Sequence, residues 1–154
     1  MSTFMYFWSW LFSPAMALVL FASLSASSLV KGRVRDALTV GLAGAATLGV
    51  VELMKKAFDR ARPHADPSLW ATDQSFPSGH AAASACFAVL VTWFYTHPHH
   101  RAKVGIVMAV FALLVGGSRL YFGVHYMSDV LVGYIVGSVV ALAAVHVDRR
   151  TKMR

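Results

Sequence analysis

Long apolar blocks separated by short polar breaks dominate the chain, and several of them are long enough to cross a bilayer. A spanning helix needs roughly 20 apolar residues to cover about 30 Å of hydrocarbon. The blocks predict about five such helices, over Pro14 to Val30, Ala37 to Phe58, Gly79 to Tyr95, Val104 to Leu120 and Met127 to Val147. The first begins after Ser13-Pro14, an N-cap residue followed by proline at the first helical position. Residues 1–12, MSTFMYFWSWLF, are aromatic-rich and read as an interfacial segment, or as the start of a first span near Phe4. They lack the basic start and small-residue cleavage site of a secretory signal. The longest break, Ala61 to Ser78, holds Pro63, Pro67 and Pro77, which exclude a continuous helix there.

Composition agrees with this pattern. The 154 residues are 57% apolar and only 14% charged, too greasy and charge-poor for an ordinary soluble domain. The expectation is an all-α, integral-membrane bundle of about five transmembrane helices, with six as the alternative, forming one domain over residues 1–154. Its single cysteine, Cys86, lies inside an apolar run and reads as a small core residue. Gly133 and Gly137 make a GxxxG step in the last helix, and Gly41, Gly44, Ala45 and Ala46 thin the second. Close packing between helices of one chain explains both, with a homo-oligomer as the minority reading.

The net charge of +7 would suit nucleic acid, but the basic residues sit in small groups at the ends of apolar runs, as in membrane proteins. No nucleic-acid partner is expected. Threading the helices alternately places Lys31, Arg33, Arg35, Arg101, Lys103, Arg149, Arg150, Lys152 and Arg154 on one side. Lys55, Lys56, Arg60, Arg62 and Arg119 fall on the other. The richer side is the cytoplasmic one, so the second group faces outward and runs against the usual bias.

Those outer cations coincide with the candidate chemistry. Lys55 and Arg62-Pro63, then Pro77-Ser78-Gly79-His80, then Ser118-Arg119 with His125 and Asp129 all lie at helix ends on that side. Three fixed positive charges, two carrying the planar guanidinium fork, want an anion with phosphate geometry. Ser78 as N-cap, with Gly79 and His80 in the first turn, adds free backbone N–H groups and the positive end of a helix dipole. His125 and Asp129 stand four residues apart, so the carboxylate can accept the ring Nδ1–H and leave Nε2 to attack phosphorus. His80, on another helix, can protonate the leaving group and then activate water.

Each of these residues has a structural explanation when taken alone. Lys55 could snorkel or pair with Glu52 or Asp59, and His125 with Asp129 could be a satisfied polar pair. Together they weigh toward function, because an ionisable group in a membrane segment costs roughly 2.5 to 3.5 kcal/mol near the centre.

The segments KKAFDRARP (Lys55 to Pro63), PSGH (Pro77 to His80) and SRLYFGVHYMSD (Ser118 to Asp129) resemble the three signature motifs of the type 2 phosphatidic acid phosphatase (PAP2) superfamily. Every position of K-x6-RP, PSGH and SR-x5-H-x3-D is filled. The resemblance implies Lys55, Arg62, Ser78, Gly79 and Arg119 as phosphate holders, His80 as acid, His125 as nucleophile and Asp129 as its orienter. It also implies a helical bundle, commonly of six spans with three before the Arg-Pro motif, and catalysis without metal or other cofactor. Only two spans are predicted here before Arg62.

The expected activity is hydrolysis of a lipid phosphomonoester or pyrophosphate through a phosphohistidine. Candidate substrates are a polyprenyl pyrophosphate such as undecaprenyl pyrophosphate, phosphatidylglycerol phosphate, phosphatidic acid or a lipid A phosphate. The expected location is a bacterial inner membrane, with the site on its non-cytoplasmic side. The alternatives are a non-catalytic lipid-phosphate binding or transport protein on the same scaffold, and the vanadate-dependent haloperoxidases, which are soluble and far longer. His97, His99 and His100 form a cluster on the cytoplasmic turn with no clear tetrahedral set. His64, Asp66, Trp70 and Asp73 lie in the outer loop, where they could touch a headgroup or simply be solvated.

Overall fold

The computed structural model describes residues 2–64, 66–69 and 74–152, and its helices occupy every predicted apolar block. Among the described residues six α-helices follow one another: α1 (Ser2–Leu11), α2 (Pro14–Val30), α3 (Val34–Phe58), α4 (Gly79–Phe94), α5 (Arg101–Tyr121) and α6 (Met127–Lys152). Among the described residues α3, α5 and α6 are each long and apolar enough to cross a membrane. Helices α1 and α2 together make a fourth candidate, bent by 57° at their junction.

Two details are added here. Residues Ser2–Leu11 form a helix of their own packed against α5, so among the described residues three helices precede Arg62. Ser13 and Pro14 explain the bend: proline opens α2, and Ser13 closes a tight turn by donating its N–H to the Trp10 carbonyl at 2.9 Å. The block at Gly79 is helical as expected, but α4 has 16 residues and rises about 24 Å, short of a full crossing.

That short helix is the centre of the molecule. Its residues from His80 to Cys86 are all buried, and α2, α3, α5 and α6 all pack on it. The small residues set how close the neighbours come. A Cβ on Gly137 would stand 2.0 Å from the Ala82 carbonyl oxygen, and one on Gly133 would stand 2.6 Å from that of Ser78. The GxxxG step therefore seats α6 directly on the backbone of α4, within one chain. Gly44 makes the same kind of room on α3 for the ring of Phe21.

The outer faces are apolar. Leu42, Ile106 and Ile135 keep 68%, 67% and 61% of their surface exposed, which suits helices whose solvent is lipid. Phe12, Phe21, Val40, Cys86, Leu90 and Val115 fill the interior. His97, His99 and His100 lie on an exposed turn between α4 and α5, at the end of the bundle away from the His80 cluster.

Candidate active site

Three chain breaks meet at one end of the bundle. Helix α3 stops at Asp59, whose backbone is left-handed (φ 40°) and whose N–H closes on the Lys55 carbonyl at 2.9 Å. The chain then doubles back, and Ser75 clamps it by donating its N–H to the Arg60 carbonyl at 2.8 Å. Arg60 and Arg62 project from this short segment toward the start of α6. At the far side Gly123, with φ 66°, takes the conformation that lets the chain leave α5 sharply and aims His125 inward. The turn is completed by Val124 N–H bonding to the Arg119 carbonyl at 3.2 Å.

A cavity of about 100 Å³ lies between these breaks, lined by Lys55, Arg62, Gly79, His80 and His125, with Phe12, Ala17 and Val51 as an apolar wall. Two histidines, two cations and a helix N-terminus thus converge from segments up to 70 residues apart in sequence (Lys55 to His125). The first-turn amides of α4 have no partners within their helix. Ser78 is its N-cap, although its Oγ stands a long 3.5 Å from the Ala81 N–H. Ser78 also donates its own N–H to the Asp129 carbonyl at 2.9 Å, which locks the start of α4 to the start of α6.

His125 is buried, and its Nε2 accepts a hydrogen bond from Nη1 of Arg62 at 2.9 Å. The same Arg62 nitrogen reaches the Val124 carbonyl at 3.0 Å. Burial above all, then the charges of Arg62 and Arg119, push the His125 pKa down to about 2. The ring is therefore neutral at any physiological pH, and the bond from Arg62 makes Nε2 its acceptor and Nδ1 its protonated nitrogen.

The predicted partner of Nδ1 is near but differently engaged. Asp129 Oδ2 lies 3.4 Å from His125 Nδ1, without the alignment of a hydrogen bond, and takes the Tyr126 N–H at 2.9 Å instead. Its other oxygen, Oδ1, accepts from Arg60 Nη1 at 2.8 Å. Arg60 also donates to Ser128 Oγ at 2.8 Å and lies over the Tyr126 ring, 3.9 Å from its centroid.

The remaining cluster members divide into those that line the cavity and those behind it. Lys55 is buried at the cavity edge, with Nζ 3.5 Å from Glu52 Oε1. His80 lines the cavity, and its Nε2 has no hydrogen-bond partner among the described residues. Arg119 is fully buried and does not line the cavity; it donates to Ser9 Oγ on α1 and, at 2.8 Å, to the Leu69 carbonyl. Of the loop residues, His64 is exposed, Asp66 caps the following turn through the N–H and Oγ of Ser68, and Trp70 and Asp73 lie outside the described residues.

Two contributors escaped the motif reading. Arg60 occupies an unspecified position of K-x6-RP, and only its place among the outer cations marked it. Ser9 carried no signal, being one hydroxyl in an aromatic segment 110 residues from Arg119.

Comparison with known proteins gives the family of the chain. Residues 36–153 match the model of the PAP2 superfamily, and the chain belongs to that family. It is 33% identical over 106 residues to phosphatidylglycerophosphatase B of Bacillus subtilis, covering 66% of this chain and 52% of that protein. It is 40% identical over 77 residues to the undecaprenyl-diphosphatase of Sulfolobus acidocaldarius, covering 50% of this chain and 35% of that protein. The chain thus spans about half the length of the first relative and about a third of the second. The crystal structure of a transmembrane PAP2-type phosphatidylglycerolphosphate phosphatase from Bacillus subtilis superposes with a TM-score of 0.84 at 27% identity. That match covers 97% of this chain and 77% of the other. The protein is an integral membrane protein with this family's helical bundle.

Proposed function

We propose that the protein hydrolyses a lipid phosphomonoester or pyrophosphate, with His125 as nucleophile, His80 as acid and base, and no metal. The observation that carries this reading is one cavity lined at once by His125, His80, Lys55, Arg62 and the N-terminus of α4. An entering phosphate would draw Arg62 Nη1 off His125 Nε2 onto its own oxygens, a charge-assisted exchange that frees the lone pair as the target arrives. Lys55 and the Gly79 and His80 amides complete the cradle from the opposite wall. Arg119, behind the cavity, adds its charge to the field felt there.

In the first step Nε2 bonds to phosphorus, the bond to the lipid oxygen or leaving phosphate breaks, and that oxygen takes the proton of His80, which has become imidazolium against the negative charge of the entering substrate. In the second, His80 removes a proton from water as the water oxygen attacks phosphorus. The P–N bond then breaks and inorganic phosphate leaves. Asp129, held by Arg60 and the Tyr126 N–H, keeps a negative charge beside the ring as it becomes positive.

The names of the relatives favour phosphatidylglycerol phosphate or undecaprenyl pyrophosphate as substrate. The asymmetry of Lys and Arg between the two ends favours a site on the non-cytoplasmic side. The test is phosphate release by purified protein from both lipids in detergent or liposomes. Turnover unaffected by EDTA and inhibited by vanadate, a mimic of five-coordinate phosphorus, is expected. No release from any lipid phosphate, or activity lost to EDTA and restored by Mg²⁺, contradicts the reading.

A further inference from the structure

At the end of the bundle away from the catalytic cavity, α5 and α6 diverge over α4 and leave an open apolar groove of about 470 Å³. Its floor carries Val89 and Trp93, and its walls carry Gly105 and Ala109 of α5 and Ser138 and Leu142 of α6. From Gly105 to Leu113, and from Tyr134 to Leu142, it runs about 12 Å along each helix. At that depth in a bilayer no water is present, so the space is filled by hydrocarbon or by another helix.

The helical stripes that line the walls continue beyond the groove to a pair of cations. Arg101 precedes Gly105 by one turn, and Arg149 follows Leu142 by two turns on the same face. Both reach the ring of Trp93, their guanidinium carbons 4.1 and 5.0 Å from its centroid. Two positive forks therefore lie against one ring of the groove lining, and Arg101 Nη2 also donates to the Trp93 carbonyl at 3.1 Å. The carboxylates at this end are buried, Asp36 beside Arg33 at 2.6 Å and Asp148 in the interior, while Arg149 is exposed and Arg101 half-buried.

We infer that this groove is a binding site for an anionic phospholipid of the leaflet opposite the catalytic cavity. One acyl chain would lie between α5 and α6, with the phosphodiester held by Arg101 and Arg149. Charge complementarity selects this occupant. A second copy of the chain would bring its own cluster of cations to the same end, and a zwitterionic lipid would offer the arginines no net charge. Arginine forks suit a phosphate, and stacking on the Trp93 ring holds both at this end of the groove.

Native mass spectrometry of the purified protein with phosphatidylglycerol or phosphatidylcholine tests the inference. Retention of phosphatidylglycerol over phosphatidylcholine is expected, reduced roughly tenfold or more in the double variant Arg101→Gln, Arg149→Gln. Ala109→Leu, which narrows the groove from an exposed position and leaves both arginines, should lower retention as well. Arg62→Gln, altered at the catalytic cavity, should keep it. Equal retention of the two lipids, an unchanged adduct in the double variant, or a dimer lost on Ala109→Leu without any lipid adduct would each overturn the assignment.

Discussion

Arg60 and Asp129 form an ion pair of 2.8 Å, joining the segment after α3 to the first turn of α6. Asp129 is fully buried, so removing Arg60 leaves one of its oxygens without its charged partner. Arg60→Gln should lower stability by about 2 kcal/mol, since the arginine side chain is itself 38% exposed and part of the loss is made up by water. It should also lower kcat about tenfold with little change in KM, because Asp129 would no longer be fixed beside the His125 ring. Arg60→Lys should recover part of the rate. Steady-state kinetics alongside thermal denaturation in detergent separates the two effects, and an unchanged kcat in a stable Arg60→Gln protein would show that the pair is purely structural.

A pH dependence of stability follows from the neutral state of His125. Its folded pKa of about 2 lies far below the ordinary value of 6.5, so below pH 6.5 the unfolded chain binds a proton that the folded one does not. The stabilising contribution is complete above pH 6.5 and is lost as pH falls below it, by up to about 1.4 kcal/mol per pH unit. The melting temperature of the wild type should drop more steeply between pH 6.5 and 5 than that of His125→Gln. Identical slopes would mean that His125 is protonated in the folded site.

How much of this was legible beforehand follows from how local each signal is. Helices α2 to α6 announce themselves because an apolar run long enough to leave water has no other conformation in lipid. Helix α1 was legible only as the alternative start near Phe4, because Ser2–Leu11 is too short to span alone and counts toward a crossing only as half of a bent pair. The cavity's own residues were readable, since Lys55, Arg62, Gly79, His80 and His125 are expensive or conformationally special groups placed at helix ends. Their supports were not. Neither the Ser9 hydroxyl on Arg119 nor the bonds that hold Asp129 to Arg60 and Tyr126 beside the His125 ring leave a mark on spacing.

The contact between α4 and α6 makes a separate prediction about the scaffold. Gly137→Ala would press a methyl group against the Ala82 carbonyl at 2.0 Å, and the two helices must part to admit it. A loss of roughly 1 to 3 kcal/mol is expected, with a drop in activity because α4 carries His80 and α6 carries Asp129. Gly49→Ala meets nothing within 4 Å and should be neutral or stabilising by up to about 1 kcal/mol. Thermal denaturation of both variants checks the contrast, and equal effects would remove the close approach as the reason for the glycine.

The proposal that His125 carries the phosphoryl group is tested most directly by trapping it. Purified protein mixed with lipid labelled in its terminal phosphate and quenched within milliseconds should carry label that is stable in base and lost in acid, located on the peptide containing His125. The label should accumulate in His80→Ala if the leaving group departs unaided, and should be absent from His125→Ala. Turnover without any label, or label that survives replacement of His125, would contradict the account.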